Sequence, residues 1–77
     1  MSITVKFFAS LRETIGKADA TLDANDISTA ADVWNITTDN HEPVSNMLVA
    51  INMEYATLDE AVKDGDEVAF FPPVTGG

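Results

Sequence analysis

Seventy-seven residues make one small domain around one core, which excludes a multidomain enzyme. Four Lys and Arg against thirteen Asp and Glu leave a net charge of −9 and no basic stripe to neutralise phosphates, which argues against nucleic acid or an anionic membrane and fits equally a protein partner with a basic face or a surface that only keeps a small protein soluble or suits a salty cytoplasm. The lack of cysteine removes any thiol nucleophile, disulfide or zinc-thiolate staple, and a hydrophobic share of 45% excludes disorder.

The run from Ile3 to Phe8 alternates and predicts a half-buried strand, with Ile3, Val5 and Phe7 on one face and Thr4, Lys6 and Phe8 on the other. Ser10-Leu11-Arg12-Glu13 has the form of a capping box and Gly16 suits a helix end, so a single helical turn is expected before the chain reverses. Ala18 to Leu22 reads as a second strand, in a hairpin with the first. After the polar turn from Asp23 to Ser28, Thr29 and Asp32 mark a second helix start. Ala30, Val33, Trp34 and Thr37 then share one helical face and press Trp34 into the core. Pro43 and the turn formers around it end that helix.

Met47 to Ile51 predicts a third strand with Met47, Val49 and Ile51 inward and Leu48 and Ala50 outward. Asn52-Met53-Glu54 turns the chain into a short fourth strand near Tyr55, and Thr57-Leu58-Asp59-Glu60 repeats the capping-box form, predicting another helical turn. Asp64-Gly65-Asp66 is a tight turn that launches the last strand, Glu67 to Phe71, with Val68 and Phe70 inward and Ala69 and Phe71 outward. The order gives an α+β roll: a mixed sheet packed on one main helix, with the first and last strands side by side. The outward Phe8, Leu48 and Phe71 form the apolar centre of a partner interface, with Arg12 at its rim.

No metal site is expected, because His41 stands alone in a polar loop and Asp64-Gly65-Asp66 lacks the remaining oxygen ligands of a calcium loop. The longest apolar stretch falls far short of the roughly 20 residues a bilayer requires. The N-terminal residues lack a signal pattern, so a cytoplasmic protein is expected.

The chain divides into a folded body, residues 1–71, and an extended flexible tail, residues 72–77. Pro72 and Pro73 fix their φ angles and project the chain outward, while Gly76 and Gly77 add no side-chain bulk. With Val74 and Thr75 between them, the tail reads as a probe that threads a narrow tunnel and presents the carboxylate of Gly77, with no Cβ to obstruct attack on the carbonyl carbon. A carboxylate becomes an acyl donor once ATP converts it to an acyl-adenylate. This chain has no Gly-rich phosphate loop, so the activator is another protein. Without cysteine, any carried sulfur sits on the C-terminus itself, as a thiocarboxylate.

A small strand-rich domain with an exposed Gly-Gly tail resembles the ubiquitin-like β-grasp carriers. The run from Asp64 to Gly77 and the opening run from Val5 to Glu13 are similar to the closing and opening segments of the small-subunit family of molybdopterin synthase, the MoaD family. Weaker similarity runs through Val49 to Asn52 and Glu54 to Ala56. The stretch from Thr29 to Met47 is shorter than in that family, and Asn52-Met53 is an unusual turn pair for it.

The resemblance implies a single β-grasp domain that carries sulfur. An E1-like adenylating enzyme uses ATP and magnesium to adenylate Gly77, and a sulfurtransferase system then converts it to a thiocarboxylate. The tail inserts into the large subunit of a heterotetrameric synthase and gives its sulfur to cyclic pyranopterin monophosphate, building the molybdopterin dithiolene. By the same resemblance Gly77 carries the sulfur, Gly76 permits close passage, and Pro72, Pro73, Val74 and Thr75 position the tail. The chain binds no cofactor itself and is a non-catalytic donor subunit of a sulfurtransferase, whose active-site groups lie on the large subunit. Three alternatives stay open. One is a ubiquitin-like modifier joined through Gly77 to a target lysine, another the sulfur carrier of thiazole formation, and the third an interaction domain with an inert tail.

Overall fold

The computed structural model describes residues 2–73, Asp26 by its backbone alone. The alternating opening segment forms β1 (Ser2–Phe7), with Ile3, Val5 and Phe7 buried, and runs antiparallel to β2 (Asp19–Asp23). Between them lies α1 (Ser10–Ile15), closed by Gly16 at φ 86°, a left-handed end that a residue with a Cβ resists. A single 3-10 turn, Ala24–Asp26, is capped by the carboxylate of Asp23 and leads toward the main helix, α2 (Ala30–Thr37). Strands β3 (Leu48–Ile51), β4 (Glu54–Ala56) and β5 (Glu67–Phe71) complete the chain.

The sheet order is β2-β1-β5-β3-β4, so the last strand occupies the centre. It pairs parallel with β1 and antiparallel with β3, the mixed sheet and the adjacency of first and last strands that the sequence predicts. With α2 laid over one sheet face, this is the β-grasp roll. Among the described residues no helix is long and apolar enough to cross a membrane.

Helix α2 begins with the predicted capping box: the Thr29 hydroxyl accepts from the Asp32 N–H and the Asp32 carboxylate accepts from the Thr29 N–H. Its face of Ala30, Val33, Trp34 and Thr37 is buried, as the spacing requires. Trp34 meets Phe70 edge-on at 5.0 Å and Phe7 at 6.1 Å, and Phe7 stacks on Phe70 at 5.7 Å. The indole N–H donates to the His41 carbonyl at 2.6 Å and the Thr37 hydroxyl to the Val33 carbonyl at 2.7 Å, so the polar atoms drawn into this core are satisfied. Truncating any one of the three rings to alanine costs about 3–5 kcal/mol.

Two predicted helix starts form differently. At α1 the Ser10 capping box does not form: Ala9 is the cap, at φ 51° and ψ −130°, with no side-chain hydrogen bond. Leu11 N–H reaches the Phe8 carbonyl and Arg12 N–H the Ala9 carbonyl, so a backbone turn sets the entry and Ser10 is already helical. Thr57-Leu58-Asp59-Glu60 makes a turn and no helix. The carbonyls of Leu58 and Glu60 accept from the N–H groups of Ala31 and Ala30, so this segment caps the first turn of α2 from outside. The third strand also starts at Leu48 where the pattern places it at Met47, and the second at Asp19 where it places Ala18.

Candidate functional site: the outer face of the sheet

Phe7 and Phe70 are register partners on adjacent strands, each followed by a second phenylalanine. Alternation therefore sends Phe7 and Phe70 into the core and Phe8 and Phe71 to the opposite face. There the two outer rings stack with centroids 4.9 Å apart and planes inclined by 6°. The Phe8 N–H donates to the Phe70 carbonyl at 3.1 Å, which carries the β1–β5 ladder one residue further and fixes the outer ring in place. Phe8 is 41% exposed, whereas Phe71 is half-buried. Leu48 lies opposite Phe71 in register and is half-buried too, so the three residues predicted as the apolar centre do share one face.

Beneath them the sheet is thin. Ala69 pairs with Ala50, and Ala50 with Tyr55, so one cross-strand row carries two small residues flanked by an aromatic one. Ala50 and Ala69 face outward as expected yet are almost fully buried, at 6% and 7% exposure, because the larger side chains around them stand over the sheet. The result is a pocket of about 320 Å³ floored by Ala50 and Ala69 and walled by Phe8, Phe71 and Tyr55. Met53 and Glu67 close the remaining side. Arg12 is exposed on α1 and does not line this pocket.

Met53 and Tyr55, at 91% and 80% exposure, were not among the predicted contact residues. Their signal lies in the turn. Asn52 and Met53 have φ of 52° and 70°, the left-handed pair of a two-residue hairpin, which pairs Ile51 with Glu54 and so Ala50 with Tyr55. Tyr55 must then share the face of Ala50.

The hairpin is tied to the start of β5. The Asn52 amide nitrogen donates to Asp66 Oδ1 at 2.9 Å, its amide oxygen accepts from the Glu67 N–H at 3.0 Å, and its backbone N–H donates to the Glu67 carbonyl at 2.8 Å. Asp66 Oδ2 accepts from the Lys63 N–H at 2.9 Å. These two hydrogen bonds, the one from Lys63 N–H foremost, hold the Asp66 carboxyl below the usual carboxylate range, with the Lys63 charge assisting and burial opposing. Gly65, at φ 89°, makes the turn that brings Asp66 into position.

The tail leaves from the end of β5, the central strand, directly beyond Phe71. Pro72 and Pro73 are half-buried, and Val74, Thr75, Gly76 and Gly77 lie outside the described residues. The Phe8, Phe71 and Leu48 cluster therefore stands at the root of the tail.

Residues 5–77 match the ThiS family profile. The molybdopterin synthase sulfur carrier subunit of Haemophilus influenzae is 42% identical, over 97% of this chain and 99% of that one. The crystal structure of small archaeal modifier protein 1 from Haloferax volcanii superposes with a TM-score of 0.80 at 32% identity, covering 100% of both chains. The protein-protein complex of subunits 1 and 2 of molybdopterin-converting factor from Helicobacter pylori contains a chain that superposes with a TM-score of 0.66 at 26% identity, again over 100% of each.

Proposed function

The chain belongs to the ThiS family, within it to the molybdopterin synthase sulfur carrier subunits, and from that premise we propose how its parts serve sulfur transfer. Residues 1–71 are the docking body and residues 72–77 the delivery arm. An E1-like enzyme using ATP and magnesium joins AMP to the carboxylate of Gly77 and releases pyrophosphate. A sulfide equivalent from a sulfurtransferase system then displaces AMP and leaves a thiocarboxylate. The arm enters the large subunit, whose cationic groups stabilise the acyl transition state, and the sulfur passes to cyclic pyranopterin monophosphate. The chain supplies no acid or base, binds no cofactor, and works in the cytoplasm beside these partners.

The observation that carries this reading is the stacked Phe8 and Phe71 pair at the foot of the tail, an apolar contact surface located where the reacting end departs. Intact mass measurement after incubation with the activating enzyme, ATP, magnesium and a sulfur donor tests it. A thiol-specific alkylation adduct mapped to Gly77 is expected, since the chain has no cysteine to compete. Activation without sulfur uptake overturns it.

A second reading has support of its own in the likeness to small archaeal modifier protein 1. In that reading Gly77 forms an isopeptide bond with a target lysine. Its mark is a ladder of heavier conjugates in cells, abolished by deleting Gly76 and Gly77.

A further inference from the structure

We propose that the pocket beside the Phe8–Phe71 stack is a socket for one cationic side chain, an arginine, projected by the large synthase subunit. The inference rests on the docking face described above and extends it from a flat apolar contact to a specific recognition site. Three features carry it. The floor of Ala50 and Ala69 leaves a recess of about 320 Å³ on the outer sheet face, open to a side chain from outside. Its walls are aromatic, with Phe71 and Phe8 on one side and Tyr55 on the other, which suits the flat face of a guanidinium.

The third feature is Glu67. Among the described residues it is the only charged one lining the recess, with Lys6 beyond Ala69 on the same face; it is half-buried, and its backbone is fixed on both sides by Asn52. A carboxylate there is a poor neighbour for an apolar partner group and a good one for a guanidinium, whose stem lies over the alanines while its head meets the carboxylate. The net charge of −9 already favours a basic partner surface, and the socket gives that preference a location.

Binding of the chain to the purified large subunit, measured by titration calorimetry from low to high salt, tests the proposal. E67Q keeps the shape and removes the charge. It is expected to weaken binding about tenfold at low salt, to flatten the salt dependence, and to leave thermal unfolding unchanged. E67K is expected to weaken binding by about a hundredfold or more, because two cations then meet in the recess. Affinity within twofold of wild type for both variants, at every salt concentration, overturns the socket.

F71A separates this outcome from failure of the wider reading. If F71A weakens binding and the Glu67 variants do not, the face docks but the recess takes no cation. If F71A has no effect either, the face is not the docking surface and the functional reading falls with it. Sedimentation of the isolated chain covers the remaining occupant. A monomer is expected, and a dimer dispersed by E67Q assigns the recess to a second copy and overturns the proposal.

Discussion

Phe8 and Phe71 stack almost parallel, 4.9 Å between centroids, on the opposite side of the sheet from the Phe7–Phe70 stack formed by their immediate neighbours. One pair of dipeptides thus builds both the core and the outer apolar face, and substitution separates the two. F71A is expected to weaken binding to the large subunit by about 2 kcal/mol or more while costing less stability than F70A, since its ring is half-buried where that of Phe70 is fully buried. F70A is expected to cost about 3–5 kcal/mol of folding stability. Calorimetric binding and urea unfolding of the two variants, run side by side, check the division.

The Asp66 latch predicts a particular response to acid. Its carboxyl has a folded-state pKa below the ordinary value of 3.8, so the unfolded chain takes up the proton first as pH falls. The stabilisation is fully present above 3.8 and is lost as pH falls through the folded value. Asp66→Asn is expected to lower the urea midpoint at neutral pH and to narrow its gap from wild type as pH falls below 3.8. Urea titrations from pH 7 to pH 2 measure that gap directly, and a gap that widens in acid contradicts the latch.

Met53 occupies the second position of its hairpin at φ 70°, where glycine is favoured. Met53→Gly is expected to stabilise the chain by about 0.5–1 kcal/mol by relieving that conformation, partly offset by a looser unfolded state. The same change removes a wall of the recess, so a modest loss of partner affinity is expected alongside the gain in stability. Thermal unfolding and binding read together show whether the two move in opposite directions.

The capping box at Thr29 is the designed start of α2. Thr29→Ala removes the hydroxyl that accepts from the Asp32 N–H and is expected to cost about 1 kcal/mol. The loss is buffered because Glu60 and Leu58 carbonyls still hold the N–H groups of Ala30 and Ala31. Far-UV circular dichroism during urea unfolding checks it.

What could be read from the chain depended on the range of the interaction. Alternation around Phe7 and Val68 and the helical spacing of Trp34 are local, and they located the strands, the core ring and the three outward apolar residues. The Thr57 capping-box form failed because a distant helix claims the carbonyls of Leu58 and Glu60, a demand that no window around Thr57 contains. The recess was missed for a similar reason. It depends on Ala50, Ala69 and Tyr55 standing side by side across three strands, which follows only once the pairing is known. Arg12 lies exposed on α1 and outside the recess lining, a placement set by the turn at Ala9. The reading of the tail rests on glycine, proline and the lack of cysteine alone and draws on no part of the fold.

The central position of β5 bears on how the sheet is made. Strands β1 and β3 both precede in sequence the strand that belongs between them, and each has a bare edge until β5 joins. The sheet closes only when β5 is in place between them. A chain that lacks β5 has neither a closed sheet nor a stacked Phe8. One strand thereby completes both the buried core and the outer aromatic face.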